Sequence, residues 1–246
     1  MLNANRFIFN FIMKNYFLPA SILIAAALIA GSIFYVAGKK NQTANPIDNN
    51  QNQDSEVFLN LADDDILLGD KNALVTVILY SDPSCSFCGA ASGGNKEAMD
   101  YMKNNDPTWT SAIPGIIENY VNSGKARLVF RYFPGHGAAE KAMKILYCAN
   151  EQGKFWQLHD KIFANQNIVE NVSEVRKLAK ESEVDISKLD SCLSQDWPDK
   201  KIAKDVESGR ALGVKGTPAF FINGTKLEGA YSFSKFAEII DSLLKS

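Results

Sequence analysis

The chain opens on an unbroken apolar stretch and then settles into short β-branched runs separated by helical periodicity. From Asn15 to Gly38 there is no charged residue. A span at about 17–37 is long enough for a membrane, because about 20 residues rising 1.5 Å each match a hydrocarbon layer of roughly 30 Å. Residues 41–64, rich in Asn, Gln and Asp, bury too little apolar surface to offset the entropy of ordering and read as a flexible polar tether. Ala73 to Tyr80 is a β-branched run of the kind buried on both faces of a sheet. A helical segment from about Cys85 to Lys103 follows, weakened by Gly93-Gly94 and ended by Asp106-Pro107. Ile113 to Asn122 predicts an amphipathic helix closed by Ser123-Gly124, and Ala126 to Phe133 a second strand. Residues 137–212 hold no strand-like run and predict several helices, with Ala142, Ile145, Leu146 and Ala149 at helical spacing. Ala219–Ile222 and Lys226–Gly229, joined by Asn223-Gly224, read as a hairpin, and Phe233 to Leu244 as a closing helix. The order β, α, β, helical insert, β, β, α predicts an α/β fold: one mixed sheet, helices on both faces and an inserted helical subdomain.

Charge sharpens the division. The net charge of −2 is uneven: residues 1–45 carry Arg6, Lys14, Lys39 and Lys40 and no acid, leaving 22 bases against 28 acids, a net of −6, for the rest. An acidic body argues against a nucleic-acid partner. The apolar span exceeds the core of about 7 to 15 residues usual in a cleaved signal. We read residues 1–40 as an uncleaved signal anchor in contact with the lipid bilayer. Cleavage near Val36-Ala37-Gly38 and a buried core helix are the alternatives. Basic residues on both sides of the span leave its orientation open.

The chemistry is carried by cysteine. Cys85-Ser86-Phe87-Cys88 directly follows a buried strand and opens a helix. Free N–H groups at a helix start favour an anion, and the thiolate is the species that attacks disulfides. Cys85 is therefore expected as the exposed nucleophile, Cys88 as the resolving thiol and Ser84 as the N-cap. Asp82 would disfavour a thiolate and is expected to turn outward or serve the turn. Two blander readings remain, half of a zinc site and a structural pair without turnover. Against zinc, Cys148 and Cys192 lie 44 residues apart and form no second Cys-x-x-Cys. His136 and His159 are not assigned to catalysis, and no metal or cofactor is expected.

Val214-Lys215-Gly216-Thr217-Pro218-Ala219-Phe220-Phe221 completes the pattern. Together with Cys85-x-x-Cys88, it resembles the thioredoxin superfamily and, more closely, its DsbA-like thiol–disulfide oxidoreductases. Further likeness runs through Asp65–Ala73, Arg131-Tyr132-Phe133-Pro134 with His136, and Cys148–Phe163, so it covers residues 65–246, with the helical insertion at about 137–212. The resemblance implies a cis Pro218 beside the dithiol, with Thr217 and Pro218 binding an extended substrate edge to edge. It also implies a structural disulfide between Cys148 and Cys192, with separate buried thiols or a second redox centre as alternatives.

The implied partners are cysteine-containing secreted or membrane proteins and a membrane reoxidising partner of DsbB or quinone-linked type. The implied location is extracytoplasmic: the cell surface or the periplasm. Oxidase activity is the leading expectation; reductase, isomerase and anchored chaperone are the alternatives. Ser86-Phe87 departs from the family's usual dipeptides and supplies no imidazole. The stretch from Gly89 to Ala112 is longer than usual and reads as surface decoration, with a lid or a partner surface near the site as the alternatives.

Overall fold

The computed structural model describes residues 61–245 apart from His136. The expected membrane span at about 17–37, the tether up to residue 60 and His136 lie outside the described residues. Among the described residues no helix is long and apolar enough to cross a membrane. The body begins slightly earlier than expected. Leu61 packs against the core, Ala62 N–H donates to Asp65, and Asp64 pairs with Lys204.

The run starting at Ala73 forms strand β2 (Val75–Ser81), whose seven residues are all buried. β3 (Ala126–Tyr132) lies parallel to it, with Val77 opposite Leu128, and β4 (Ala219–Ile222) lies antiparallel on its other side, with Leu79 opposite Phe220. β5 (Thr225–Glu228) follows β4 through Asn223 and Gly224, both at positive φ, as an Asn-Gly hairpin requires. A strand not expected from the sequence, β1 (Ile66–Leu68), pairs antiparallel with β3. The sheet order is β1-β3-β2-β4-β5. Alternate residues of β2 enter two cores. Val75, Val77 and Leu79 join the larger one, whereas Ile78 and Tyr80 join the smaller one with Val206 and Leu212.

The crossover from β2 to β3 carries α1 (Ser86–Ser92), α2 (Lys96–Asn105) and α3 (Ala112–Ile116), which runs on into a π-helical turn at Ile117–Val121. The single helix expected over 85–103 is thus two. Gly93 turns left-handed (φ 76°) to end α1. A Cβ on Gly94 would stand 2.6 Å from the Phe163 carbonyl carbon, so the break lets the chain pass close to the insertion. Asn95 then caps α2. The stretch expected as decoration or a lid is fastened down: Trp109 is buried with Ala90 and Ala98, and its indole N–H donates to the Ala230 carbonyl at 2.9 Å.

The insertion contains α4 (Glu140–Asn150), α5 (Phe155–Ala164), a 3₁₀ turn (Gln166–Ile168), α6 (Val172–Glu181), α7 (Ile186–Leu193) and α8 (Trp197–Ala211). Helix α4 is its centre, with Ala142 to Ala149 buried except Lys144. Helix α8 returns to the sheet through a buried ionic network. Lys201 pairs with Asp205 (2.5 Å) and Asp65 (3.4 Å), Asp65 pairs with Arg131 (2.7 Å), and Asp205 accepts from Tyr147 and from the Tyr132 N–H. Such a network is costly to leave half-paired, so it fixes how the insertion joins the sheet. Helix α9 (Phe233–Leu243) closes the fold by burying Phe236 and Ile240.

Candidate active site

Strand β2 ends at a sharp turn, Asp82-Pro83-Ser84, before α1. The Asp82 carbonyl accepts the Cys85 N–H (3.0 Å), and its carboxylate accepts from the Ser84 N–H (2.8 Å), the Ser84 hydroxyl (2.7 Å) and the Gly135 N–H (2.5 Å). Asp82 therefore serves the turn but does not face outward. It is fully buried, and it ties the start of α1 to the loop after β3. Ser84 is spent on Asp82 and does not cap the helix; Cys85 itself occupies the N-cap without a side-chain bond.

Cys85 and Cys88 are free thiols in this structure. Cys85 is 2% exposed, which corrects the expectation of an exposed nucleophile. The cause is the loop opposite. The Cys85 Sγ donates to the Thr217 carbonyl at 3.3 Å, and Gly135 packs so near that a Cβ there would lie 3.5 Å from the Cys85 Cβ and 2.6 Å from the Thr217 hydroxyl. The Thr217–Pro218 bond is cis. The dithiol and the Thr217–Pro218 loop thus meet in direct contact, with the Gly135 backbone packed beside both. Beside this covered sulfur, Phe87 is 42% exposed and packs edge-on to Tyr101.

The two sulfurs differ in their hold on a proton. The Cys85 thiol is pushed down to about 6, chiefly by the hydrogen bond from Cys88, against the opposing effect of burial. The N–H groups of Cys88 and Phe87 add to this, and the Thr217 hydroxyl, which makes no well-formed bond among the described residues, also favours the thiolate. Cys88 moves the other way. Complete burial and the neighbouring Cys85 sulfur push it well above the ordinary thiol range. The Ser81 hydroxyl, similarly without a well-formed bond, lies beside Cys88 and weakly favours its ionised form. One proton is therefore shared between a ready donor and a ready anion.

Cys148 on α4 and Cys192 on α7 are bonded to each other, with Cα atoms 5.7 Å apart, so they offer no second half of a thiolate metal site. His159 is fully buried among Phe130, Phe155, Trp156 and Phe163. Sequence reasoning missed Gln166, whose side-chain amide donates to the carbonyls of Pro83 and Cys85, and gave no role to Gly135. Neither carries a motif. The position of Gly135 after Pro134 at a strand end was the one available hint, and nothing in the sequence singles out Gln166.

A five-stranded mixed sheet with a dithiol at its strand–helix turn, a Thr-Pro loop opposite and an all-helical insertion defines the class of DsbA-like thiol–disulfide oxidoreductases. The chain belongs to the thioredoxin family, whose model, described as Thioredoxin, matches residues 108–242. That match includes Thr217-Pro218 and begins after the dithiol. The chain is similar to the probable disulfide bond formation protein D of Bacillus cereus, 26% identical over 193 residues, 72% of this chain and 78% of that protein. It is also 28% identical over 187 residues to the Na(+)/H(+) antiporter NhaA 3 of Salinispora tropica, covering 75% of this chain but 25% of that protein. The chain thus spans about a quarter of the length of the antiporter relatives it matches. Among solved structures, Wolbachia pipientis alpha-DsbA1 shares the fold with a TM-score of 0.63 at 22% identity, over 78% of this chain and 96% of that one.

Proposed function

We propose that the protein oxidises thiols in cysteine-containing secreted or membrane proteins, using the Cys85–Cys88 disulfide on the extracytoplasmic side of a membrane to which residues 17–37 anchor it. A substrate thiolate attacks the Cys85 sulfur of the disulfide, and the Cys88 sulfur leaves and takes up a proton, as its strong proton affinity favours. A second substrate thiolate then attacks the substrate sulfur of the mixed disulfide, and Cys85 leaves as a thiolate that persists at neutral pH. The substrate loses two electrons and gains a disulfide, and the cysteine pair gains the two electrons. A membrane partner of DsbB or quinone-linked type removes them to restore the disulfide.

The observation that carries this reading is the Cys85 thiol at about 6 with its sulfur 3.3 Å from the Thr217 carbonyl. A low pKa makes Cys85 the better leaving group and stabilises the reduced pair, and a stabilised reduced form makes the disulfide a stronger oxidant. Cys88 and backbone N–H groups here take the place of the imidazole that Ser86-Phe87 lacks. The Thr217 and Pro218 backbone, once Gly135 and Thr217 move apart, offers an edge for an extended substrate segment.

Redox titration against glutathione tests the direction. A potential above about −200 mV supports an oxidase, whereas one near the roughly −270 mV of thioredoxin supports a reductase. Cys85→Ser tests the chemistry itself: if that variant still forms disulfides in a reduced substrate, the proposal fails.

A further inference from the structure

The insertion reaches the dithiol through one side chain. Gln166 opens the 3₁₀ turn after α5, and its Nε2 donates to the Pro83 carbonyl (2.8 Å) and the Cys85 carbonyl (2.8 Å). Its Oε1 accepts from Asn95 Nδ2 at 2.7 Å, and the Asn95 Oδ1 in turn caps α2 through the Ala98 N–H. Both amide protons are thus committed to the loop that delivers Cys85. The approach depends on Gly89, because a Cβ there would lie 2.1 Å from Gln166 Oε1 and 2.6 Å from Asn95 Cβ. The Cys85 carbonyl also receives the Gly89 N–H at 3.1 Å, so two donors fix it. Fixing that carbonyl sets the peptide plane between Cys85 and Ser86. It thereby anchors the first turn of α1, whose N–H groups at Phe87 and Cys88, one and two peptides further on, favour the Cys85 anion.

We propose that Gln166 is a positioning residue for Cys85: by holding the carbonyls of Pro83 and Cys85, it orients the turn whose N–H groups face the sulfur. It acts through those carbonyls and Asn95 rather than through a bond to the sulfur. The inference rests on the thiolate chemistry proposed for Cys85. Among the described residues, the other titratable groups at that sulfur are Cys88 on α1 and Asp82, which shares with Cys85 and Thr217 the space beside Gly135.

The test is a pH titration of thiolate absorbance in the reduced, full-length chain. Gln166→Met keeps the reach of the side chain but removes its donors, and Gln166→Glu keeps its shape but, when ionised, only accepts. Gly89→Ala displaces an unaltered Gln166. The midpoint is expected to rise from about 6 by about one unit in Gln166→Met and Gly89→Ala and further in Gln166→Glu, with alkylation of Cys85 at pH 6 slowed roughly fivefold by the one-unit rise. A purely structural role would lower the melting temperature and leave the midpoint in place. Folded variants whose midpoint stays within a few tenths of the unaltered chain would overturn the inference. So would an NMR titration of the unaltered protein in which the Gln166 side-chain amide signals ignore the ionisation of Cys85, a measurement that needs no variant. Failure of the parent reading looks different: Cys85 would then ionise near the ordinary 9.0 before any substitution is made.

Discussion

Cys85 and Cys148 are both buried, at 2% and 0% exposure, yet one is a free thiol pushed down to about 6 and the other is closed in a disulfide. Cys148 lies within α4, where helical hydrogen bonds employ the backbone donors, and its partner Cys192 arrives from α7. Cys85 lies where a strand ends and a helix starts, so nearby N–H groups have no carbonyl to bind and the Cys88 proton is at hand. Burial alone therefore does not set the behaviour of a sulfur in this fold. The supply of donors around it does, and the backbone settles that supply.

The largest effect is expected from removing Cys88. Cys88→Ser should cut turnover at least about 100-fold, because no Cys85–Cys88 disulfide can form. Offered a disulfide-bonded substrate, the Cys85 thiolate should attack it, expel one substrate thiolate and remain bound as a mixed disulfide, visible on non-reducing gels. The same assay on Cys148→Ala/Cys192→Ala should show near-normal exchange. That double variant should instead lose about 4 kcal/mol in urea unfolding, the chain-entropy value for a closure of 44 residues, with the Cys85 midpoint still at about 6. If exchange and stability fall together in both variants, the division between a reactive and a structural pair is wrong.

A smaller effect distinguishes the pairs by pH. The Cys85 pKa in the folded protein lies below its ordinary value of 9.0, so its ionisation stabilises the reduced fold fully above about pH 9. The contribution shrinks as the pH falls and is gone below about 6. Cys88 is shifted upward and opposes this only as the pH nears 9, where the unfolded thiol ionises and the folded one does not. The stability advantage of the reduced protein over Cys85→Ala should be about 1 kcal/mol larger at pH 7 than at pH 5. The bonded pair does not titrate. Smallest of all, Asn171→Ala removes the side-chain acceptor at the start of α6. It should cost about 1 kcal/mol without moving the Cys85 midpoint, which would show that loosening the insertion away from Gln166 leaves the dithiol alone.

The uneven legibility of the site has a physical source. Cys85-x-x-Cys88, Thr217-Pro218 and the Asn223-Gly224 turn are local patterns, in which neighbours along the chain are also neighbours in space. The break at Gly93-Gly94 was likewise visible as a weakness in the helical pattern. The three-residue strand β1 is too short to show a period, and the π-helical turn after α3 looks in sequence like ordinary helix. Gln166 reaches Cys85 across 81 residues and Gly135 reaches Asp82 across 53, so no spacing rule connects them.

Composition and order along the chain determined the fold class, the helical insertion and which cysteines stand at a strand–helix turn, because strand burial, helix periodicity and turn chemistry act over a few residues. Only the tertiary structure decided that Cys85 is covered, that Asp82 points inward and that the insertion holds the carbonyls beneath the sulfur. Those outcomes depend on which backbone groups distant segments bring within hydrogen-bonding range, a property of packing that no local stretch of sequence contains.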